Sequence, residues 1–321
     1  MAVYTDVSAE DLSEFLKGYD LGPLLSFKGI AEGVENSNFL IETGSGRYIL
    51  TLYEKRVKKD DLPFFLGLMG HLADSGINCP LPVKGHDGEA LRILAGRPAA
   101  IVTFLEGVSY RRPSAAHCGA LGSTLAALHE AGKGFGIHRE NALSIGGWRP
   151  LAEQAGERAD EVAPGLTIAI RNELAELETH WPRTLPAGII HADLFPNNTL
   201  YVGDQLSGVI DFYFAAHDAL AYDLAICLNA WCFEADNSFN LTKGRALISG
   251  YRAKRALNRA EIEALPVLCR GAALRFLLTR LVDWLNVPPG ALVRPLDPME
   301  YWKKLRFHQS VDAASAYGLI D

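Results

Sequence analysis

Positive charge is in short supply in this chain: 31 Lys and Arg stand against 38 Asp and Glu, a formal net charge of −7. That balance gives no electrostatic footprint for nucleic acid, and it argues against binding to anionic membrane surfaces. Cysteine is sparse too. Five residues lie scattered at 79, 118, 227, 232 and 269, with no C-x-x-C and no Cys/His metal spacing. A structural zinc site is therefore excluded, and reduced, partly buried thiols are expected. The nine His are equally dispersed. Long apolar runs are missing: the most apolar helix candidate, Pro266 to Leu285, carries Arg270, Arg275, Arg280 and Asp283. No membrane span is expected. The opening residues, Met1 to Asp6, lack the basic and apolar regions of a signal peptide. Internal repeats and low-complexity tracts are absent. With 49% hydrophobic and 21% charged residues in 321, the expectation is a soluble, cytoplasmic, globular protein of one large or two modest domains, with no protein partner evident.

What is present gathers around one stretch, Ile190-His191-Ala192-Asp193-Leu194-Phe195-Pro196-Asn197-Asn198-Thr199-Leu200, followed by Gly208-Val209-Ile210-Asp211-Phe212. His191 stands two before Asp193, Asn198 five after it, and Asp211 eighteen after it. Phosphoryl transfer from ATP to a hydroxyl needs a carboxylate to accept the proton and oxygen ligands to hold Mg²⁺ against the phosphates. The protein kinase loop H-R-D-x-x-x-x-N has the same offsets, and its second Asp also sits on a D-F step. In that scheme Asp193 is the base, Asn198 and Asp211 are the metal ligands, and His191 is structural support. A D-x-F-P-N-N turn is also ordinary loop chemistry. The sequence between the halves decides for chemistry. Thr199 to Val202 reads as a strand, Gly203-Asp204 as a turn and Leu206 to Ile210 as the return strand, which sets Asn198 beside Asp211.

Before this stretch the chain reads as a small sheet. A helix over 8–19 is capped by Ser8. Strands follow at Leu24 to Ile30, Asn38 to Thr43 and Tyr48 to Tyr53, with a hairpin turn at Gly44-Ser45-Gly46. The polar link 31–37 falls where a kinase covers the phosphates, which makes Gly33 and Asn38 candidate ATP contacts. It matches neither G-x-G-x-x-G nor the Walker pattern. Side chains alternate along a strand, so Ile49 and Thr51 share a face, Ile49 against adenine and Thr51 in the kinase lysine slot. Thr51 has no charge, and neither Arg47 nor Lys55 is an obvious substitute. The next helix, 60–74, carries Phe64 and Phe65 where a partner Glu would be expected. Strands at Glu89 to Leu94 and Pro98 to Leu105 lead to Phe104-Leu105-Glu106-Gly107, a hinge whose backbone suits an adenine edge.

Beyond the hinge the pattern is helical: 115–131, 166–179, 221–233, 241–254, 259–285 and 298–316. Residues 141–150 read as a Gly/Pro-punctuated loop with Trp148. His129 reads as a surface or packed histidine. Asp223, at the start of an apolar helix, reads as a brace for the catalytic loop.

The joint pattern, HxDxxxxN followed by a hairpin and I-D-F, resembles the aminoglycoside phosphotransferase and choline kinase superfamily, relatives of protein kinases that act on small molecules. Those proteins usually read H-G-D-L-H-P-G-N-I-L; this chain reads H-A-D-L-F-P-N-N-T-L. Three patches, Arg47 to Glu54, Asn141 to Trp148 and Asp223 to Glu234, are similar to the phosphotransferase-like homoserine kinases. The resemblance implies an α+β bilobal kinase-like fold: a small antiparallel-sheet nucleotide lobe over 1–105 and a mainly helical catalytic lobe over 106–321. It implies ATP and Mg²⁺ as cofactors and L-homoserine as acceptor. A zwitterionic acceptor needs a cation for its carboxylate and an anion for its ammonium. Candidates are Arg139, Arg275 and Arg280 for the first, and Glu234, Asp236 and Asp283 for the second. Two other readings stay open: a kinase for choline or an aminoglycoside, and an inactive nucleotide-binding module.

Overall fold

The computed structural model describes residues 5–30, 36–54, 58–287 and 295–319. Helix α1 (Ala9–Leu16) begins where Ser8 accepts the Asp11 amide, and it ends short of the expected span. Strands β1 (Leu24–Gly29), β2 (Ser37–Thr43) and β3 (Gly46–Leu52) form an antiparallel meander. After α2 (Leu62–Asp74), β4 (Leu91–Leu94) and β5 (Arg97–Thr103) complete a five-stranded sheet of order β1-β2-β3-β5-β4. The pleat sorts the side chains by parity. Phe39, Ile41, Leu50 and Leu52 face a core shared with Leu12 and Leu16 of α1. Asn38, Ile49 and Thr51 face the other way, into a cavity. Helix α2 does not join the first core. Its Phe64, Phe65 and Leu68 belong to the larger core of the helical part, with Leu121 and Leu125.

The chain leaves the sheet after Thr103 and is pinned at once. Val108 and Tyr201 exchange both backbone hydrogen bonds, at 3.0 and 2.9 Å. Helix α3 (Ala115–Ala131) matches its expected span and opens with a reciprocal Ser114–His117 cap. The expected loop at 141–150 is partly helix. Helix α4 (Ile145–Ala155) contains Gly146, Gly147 and Pro150. Proline there removes a backbone donor. The offset is tertiary: Trp148 is fully buried, stands edge-on to Trp181 with ring centroids 4.8 Å apart, and packs over Gly271. Two further helices follow, α5 (Ala159–Val162) and α6 (Leu166–His180).

Strand β6 (Ala187–Ile190) leads into the central stretch, and β7 (Thr199–Val202) and β8 (Gln205–Val209) form the expected hairpin. Strand β9 (Ala216–Ala219) returns antiparallel to β6, a pairing the sequence did not announce. Helix α7 (Leu220–Trp231) and α8 (Leu241–Arg252) precede α9 (Arg259–Leu285), which spans about 40 Å at 1.5 Å per residue. Helix α10 (Pro298–His308) is shorter than expected; a single 3₁₀ turn at Ala314–Tyr317 follows it. No helix among the described residues is long and apolar enough to cross a membrane.

Candidate active site

The stretch after β6 is gripped from both sides. In the first turn of α7, Asp223 accepts the amides of His191 at 2.7 Å and Ala192 at 2.9 Å, one on each carboxylate oxygen. From α9, Arg275 donates to the Ala192 carbonyl. These bonds hold Ala192 at φ 63°, in the left-handed region. The His191 ring bridges the two halves of the motif: Nε2 donates to the Ile210 carbonyl at 3.1 Å, and Nδ1 accepts the Asp193 amide at 3.3 Å. Asn198 Nδ2 donates to the Asp193 carbonyl at 2.8 Å and to Asp193 Oδ2 at 3.2 Å. The Ile210 amide bonds the Asn198 carbonyl at 3.0 Å, so Asn198 and Asp211 flank the open end of the hairpin.

Asp223 is itself held from behind. Arg255 donates to the Tyr251 hydroxyl at 3.0 Å, Tyr251 donates to His129 Nδ1 at 2.7 Å, and His129 Nε2 donates to Asp223 at 3.1 Å. His129 is thus packed, as expected, and it also has a partner 94 residues away that its sequence neighbourhood does not reveal. Burial alone would raise the Asp223 carboxyl. The hydrogen bond from His129, with help from the His191 amide, outweighs burial and holds it below the usual carboxylate range. Burial pushes the His191 ring down, toward the neutral form its two bonds require. Asp211 opens onto the cavity yet is enclosed by protein atoms, and that desolvation pushes its carboxyl up to about 6.

Asp193, Asn198 and Asp211 meet in a cavity of about 540 Å³ between the sheet and α9. Asn38, Ile49, Arg275, Arg280 and Asp283 line the same cavity. Thr51 does too, and its hydroxyl donates to Asn38 Oδ1 at 2.8 Å. Among the described residues, neutral groups stand where a Lys–Glu ion pair would be. The Tyr53 and Tyr213 hydroxyls are 3.2 Å apart, and Phe65 of α2 stands edge-on to Tyr213. Tyr213, two residues after Asp211, thereby ties the loop that bears Asp211 to Tyr53 at the end of β3. Tyr53 and Tyr213 carry no sequence motif, and only their adjacency to Thr51 and Asp211 could have drawn attention to them.

Other expected contacts lie elsewhere. Gly33 and Lys55 fall outside the described residues. The Phe104 and Leu105 side chains do not line the cavity: Phe104 lies under the Arg47 guanidinium at 4.6 Å, and Leu105 packs on Gly208. Arg139 is spent on Asp61 at 2.9 Å and the Ala215 carbonyl at 2.9 Å. Glu234 pairs with Lys243 and Asn240, both at 2.7 Å. Asp236 accepts the amide and hydroxyl of Ser238 in a tight local turn. None of these three lines the cavity.

The profile of the phosphotransferase enzyme family matches residues 26–257. The chain belongs to that family. This phosphotransferase is 66% identical over 319 residues to a homoserine kinase of Azorhizobium caulinodans, covering 99% of each chain. It is also 66% identical over 321 residues to a homoserine kinase of Bradyrhizobium diazoefficiens, covering 100% of this chain and 98% of that one. Among solved structures it resembles choline kinase from Cryptosporidium parvum, with a TM-score of 0.69, 16% identity and 94% of each chain covered. An amicoumacin kinase in complex with AMP-PNP and Ca²⁺ gives a TM-score of 0.68 at 17% identity, over 94% of this chain and 92% of that one. The kinase-like α+β fold read from the sequence is borne out by both. Family membership implies ATP as the phosphoryl donor.

Proposed function

We propose that this phosphotransferase converts L-homoserine and ATP to O-phospho-L-homoserine and ADP, a step toward threonine. The observation that carries the reading is the meeting of Asp193, Asn198 and Asp211 in one cavity, in a chain 66% identical end to end to proteins named homoserine kinase. The acceptor hydroxyl loses its proton to the Asp193 carboxylate. Its oxygen bonds to the γ-phosphorus as the bond to the β-phosphate oxygen breaks. Asn198 Nδ2 engages Oδ2 and holds the carboxylate that takes the proton in place. The donor set suits Mg²⁺: Asp211 offers a carboxylate, and Asn198, its amide nitrogen committed to Asp193, offers its oxygen. Two protein oxygens suit a cation that keeps several waters and binds substrate phosphates. Bound there, Mg²⁺ neutralises charge on the transferred phosphoryl group.

Residues 1–105 serve as the nucleotide lobe in this reading, with Asn38 and Ile49 at the donor and the backbone of Phe104 and Leu105 at the adenine edge. Residues 106–321 supply the catalytic and acceptor groups, and the enzyme works in the cytoplasm. The test is ATP turnover with L-homoserine, choline and kanamycin, each with Mg²⁺ and with a strong chelator. Homoserine is expected to be turned over far better than the others, and only with the metal. Equal turnover of choline overturns the acceptor assignment; full activity after chelation overturns the metal assignment.

A further inference from the structure

The cations that line the cavity among the described residues are two arginines, both from α9. They are not equivalent. Arg275 is 1% exposed, and its guanidinium is anchored on the Ala192 carbonyl and stacked on Phe276 at 4.4 Å. It is part of the frame that positions the loop bearing Asp193. Arg280 is fixed differently. Its NH1 donates to Glu300 at 2.7 Å and to the Asp297 carbonyl at 3.2 Å, and Tyr301 lies beneath it at 4.5 Å. These contacts hold one nitrogen of the fork from the α10 side and orient the guanidinium in the cavity wall.

Asp283 follows Arg280 by three residues, a spacing that puts two side chains next to each other on one helix face. It is exposed and lines the same cavity. Arg280 is five residues beyond Arg275, about 7.5 Å along the helix axis. The hydroxyl and carboxylate oxygens of an extended γ-hydroxy amino acid lie roughly 6 Å apart by standard bond lengths. With Arg275 committed to the Ala192 carbonyl, Arg280 is the other cation on the cavity among the described residues and can take the acceptor carboxylate, with Asp283 beside it for the ammonium. Asp193, Arg275, Arg280 and Asp283 line this one cavity.

We infer that Arg280 and Asp283 are the residues that select the acceptor, Arg280 taking its carboxylate and Asp283 its ammonium, while Arg275 positions the catalytic loop. The inference rests on the acceptor class proposed above. Its test is a substrate-by-variant comparison of kcat/KM for L-homoserine, for 3-aminopropan-1-ol, which lacks the carboxylate, and for 4-hydroxybutanoate, which lacks the ammonium. Arg280→Gln is expected to lose roughly 100-fold or more on homoserine and 4-hydroxybutanoate, and no more than about threefold on 3-aminopropan-1-ol. Asp283→Asn should lose on homoserine and 3-aminopropan-1-ol and spare 4-hydroxybutanoate. Equal losses on all three acceptors would mean that the pair only braces the helix, and would overturn the inference. A wild-type enzyme that ignores homoserine instead overturns the acceptor class, which is a separate result. If Arg280→Gln fails to fold, Asp283→Asn, at an exposed position, still decides between the two.

Discussion

Ala192 occupies a backbone conformation that costs a non-glycine residue about 1–2 kcal/mol. Asp223 and Arg275 hold its amide and carbonyl, and they offset that strain. The residue-scale predictions follow from what each group touches. A positioned general base contributes roughly 10²- to 10⁴-fold, so Asp193→Asn should lower kcat by about that factor with the KM for ATP nearly kept. Thr51→Ala removes one neutral hydrogen bond to Asn38 and should change kcat by no more than about threefold. Steady-state kinetics of both variants at saturating homoserine checks the contrast; equal losses would show that Thr51 touches the phosphates. Tyr251→Phe strips a buried hydrogen bond from His129 Nδ1. It should cost about 1–3 kcal/mol in urea unfolding and lower kcat with little change in KM, because the clamp on the loop loosens. Unchanged kcat with lowered stability would mean that the Arg255–Tyr251–His129 chain is structural only. The catalytic and metal candidates were legible because they lie within one stretch of 21 residues, His191 to Asp211. His129 was not, because its meaning lies in a contact with Asp223 that only the folded chain makes.

That contact depends on how two helices approach. Helices α3 and α8 cross with almost no side chain between them. A Cβ on Gly122 would stand 2.0 Å from the Leu247 carbonyl oxygen, and one on Gly250 would stand 2.1 Å from the Gly119 carbonyl oxygen. Only backbone of this kind lets His129 near the end of α3 reach Tyr251 near the end of α8. Gly250→Ala should therefore force the helices apart and destabilise the fold by about 3 kcal/mol, the upper part of the usual overpacking range. It should also lower kcat through the loosened relay. Denaturant unfolding and kinetics on this one variant test both; a neutral Gly250→Ala would show that the crossing relaxes freely. At this scale the Ser8 cap and the bounds of α3 and α9 were readable, and the ends of α1 and α10 were not. Helix α9 runs over the expected 259–285, and its start is marked by Asn258 and Glu261, which cap each other. Helix α4 was not readable, because its glycines and Pro150 signal a loop and its stability comes from Trp148 docking on α9. Strands β6 and β9 pair across the whole intervening stretch, with no hairpin turn between them to mark either one.

Across the whole molecule, buried polar chains join the cavity wall to the last described turn. Arg280 and Lys304 share Glu300, Lys304 donates to the Asn229 carbonyl, and His308 sits between Asn229 and Tyr317. His308 Nε2 donates to the Asn229 side-chain oxygen at 3.0 Å, and its Nδ1 accepts from the Tyr317 hydroxyl at 2.9 Å. The bond at Nδ1 requires the neutral ring. Burial, followed by the nearby charges of Lys304 and Arg270, drives its pKa down to about 3. An unfolded histidine takes up a proton near pH 6.5. Between those two values the unfolded chain binds one more proton than the folded chain, so stability falls as pH falls. The contribution is intact above about pH 6.5 and is withdrawn progressively toward pH 3, at about 1.4 kcal/mol for each pH unit. Asp223 acts in a separate window. Its lowered carboxyl supports the fold above the usual carboxylate range and fails only in stronger acid, as pH drops through its folded value. Urea unfolding of the full chain at pH 7 and pH 5 should therefore show a loss in the wild type that shrinks by about one proton's worth of slope in His308→Gln. The variant can be less stable at pH 7 without affecting this comparison, because the measured quantity is the difference between the two pH values. If the wild type and His308→Gln lose the same amount on acidification, the buried ring is not what makes this part of the molecule sensitive to acid.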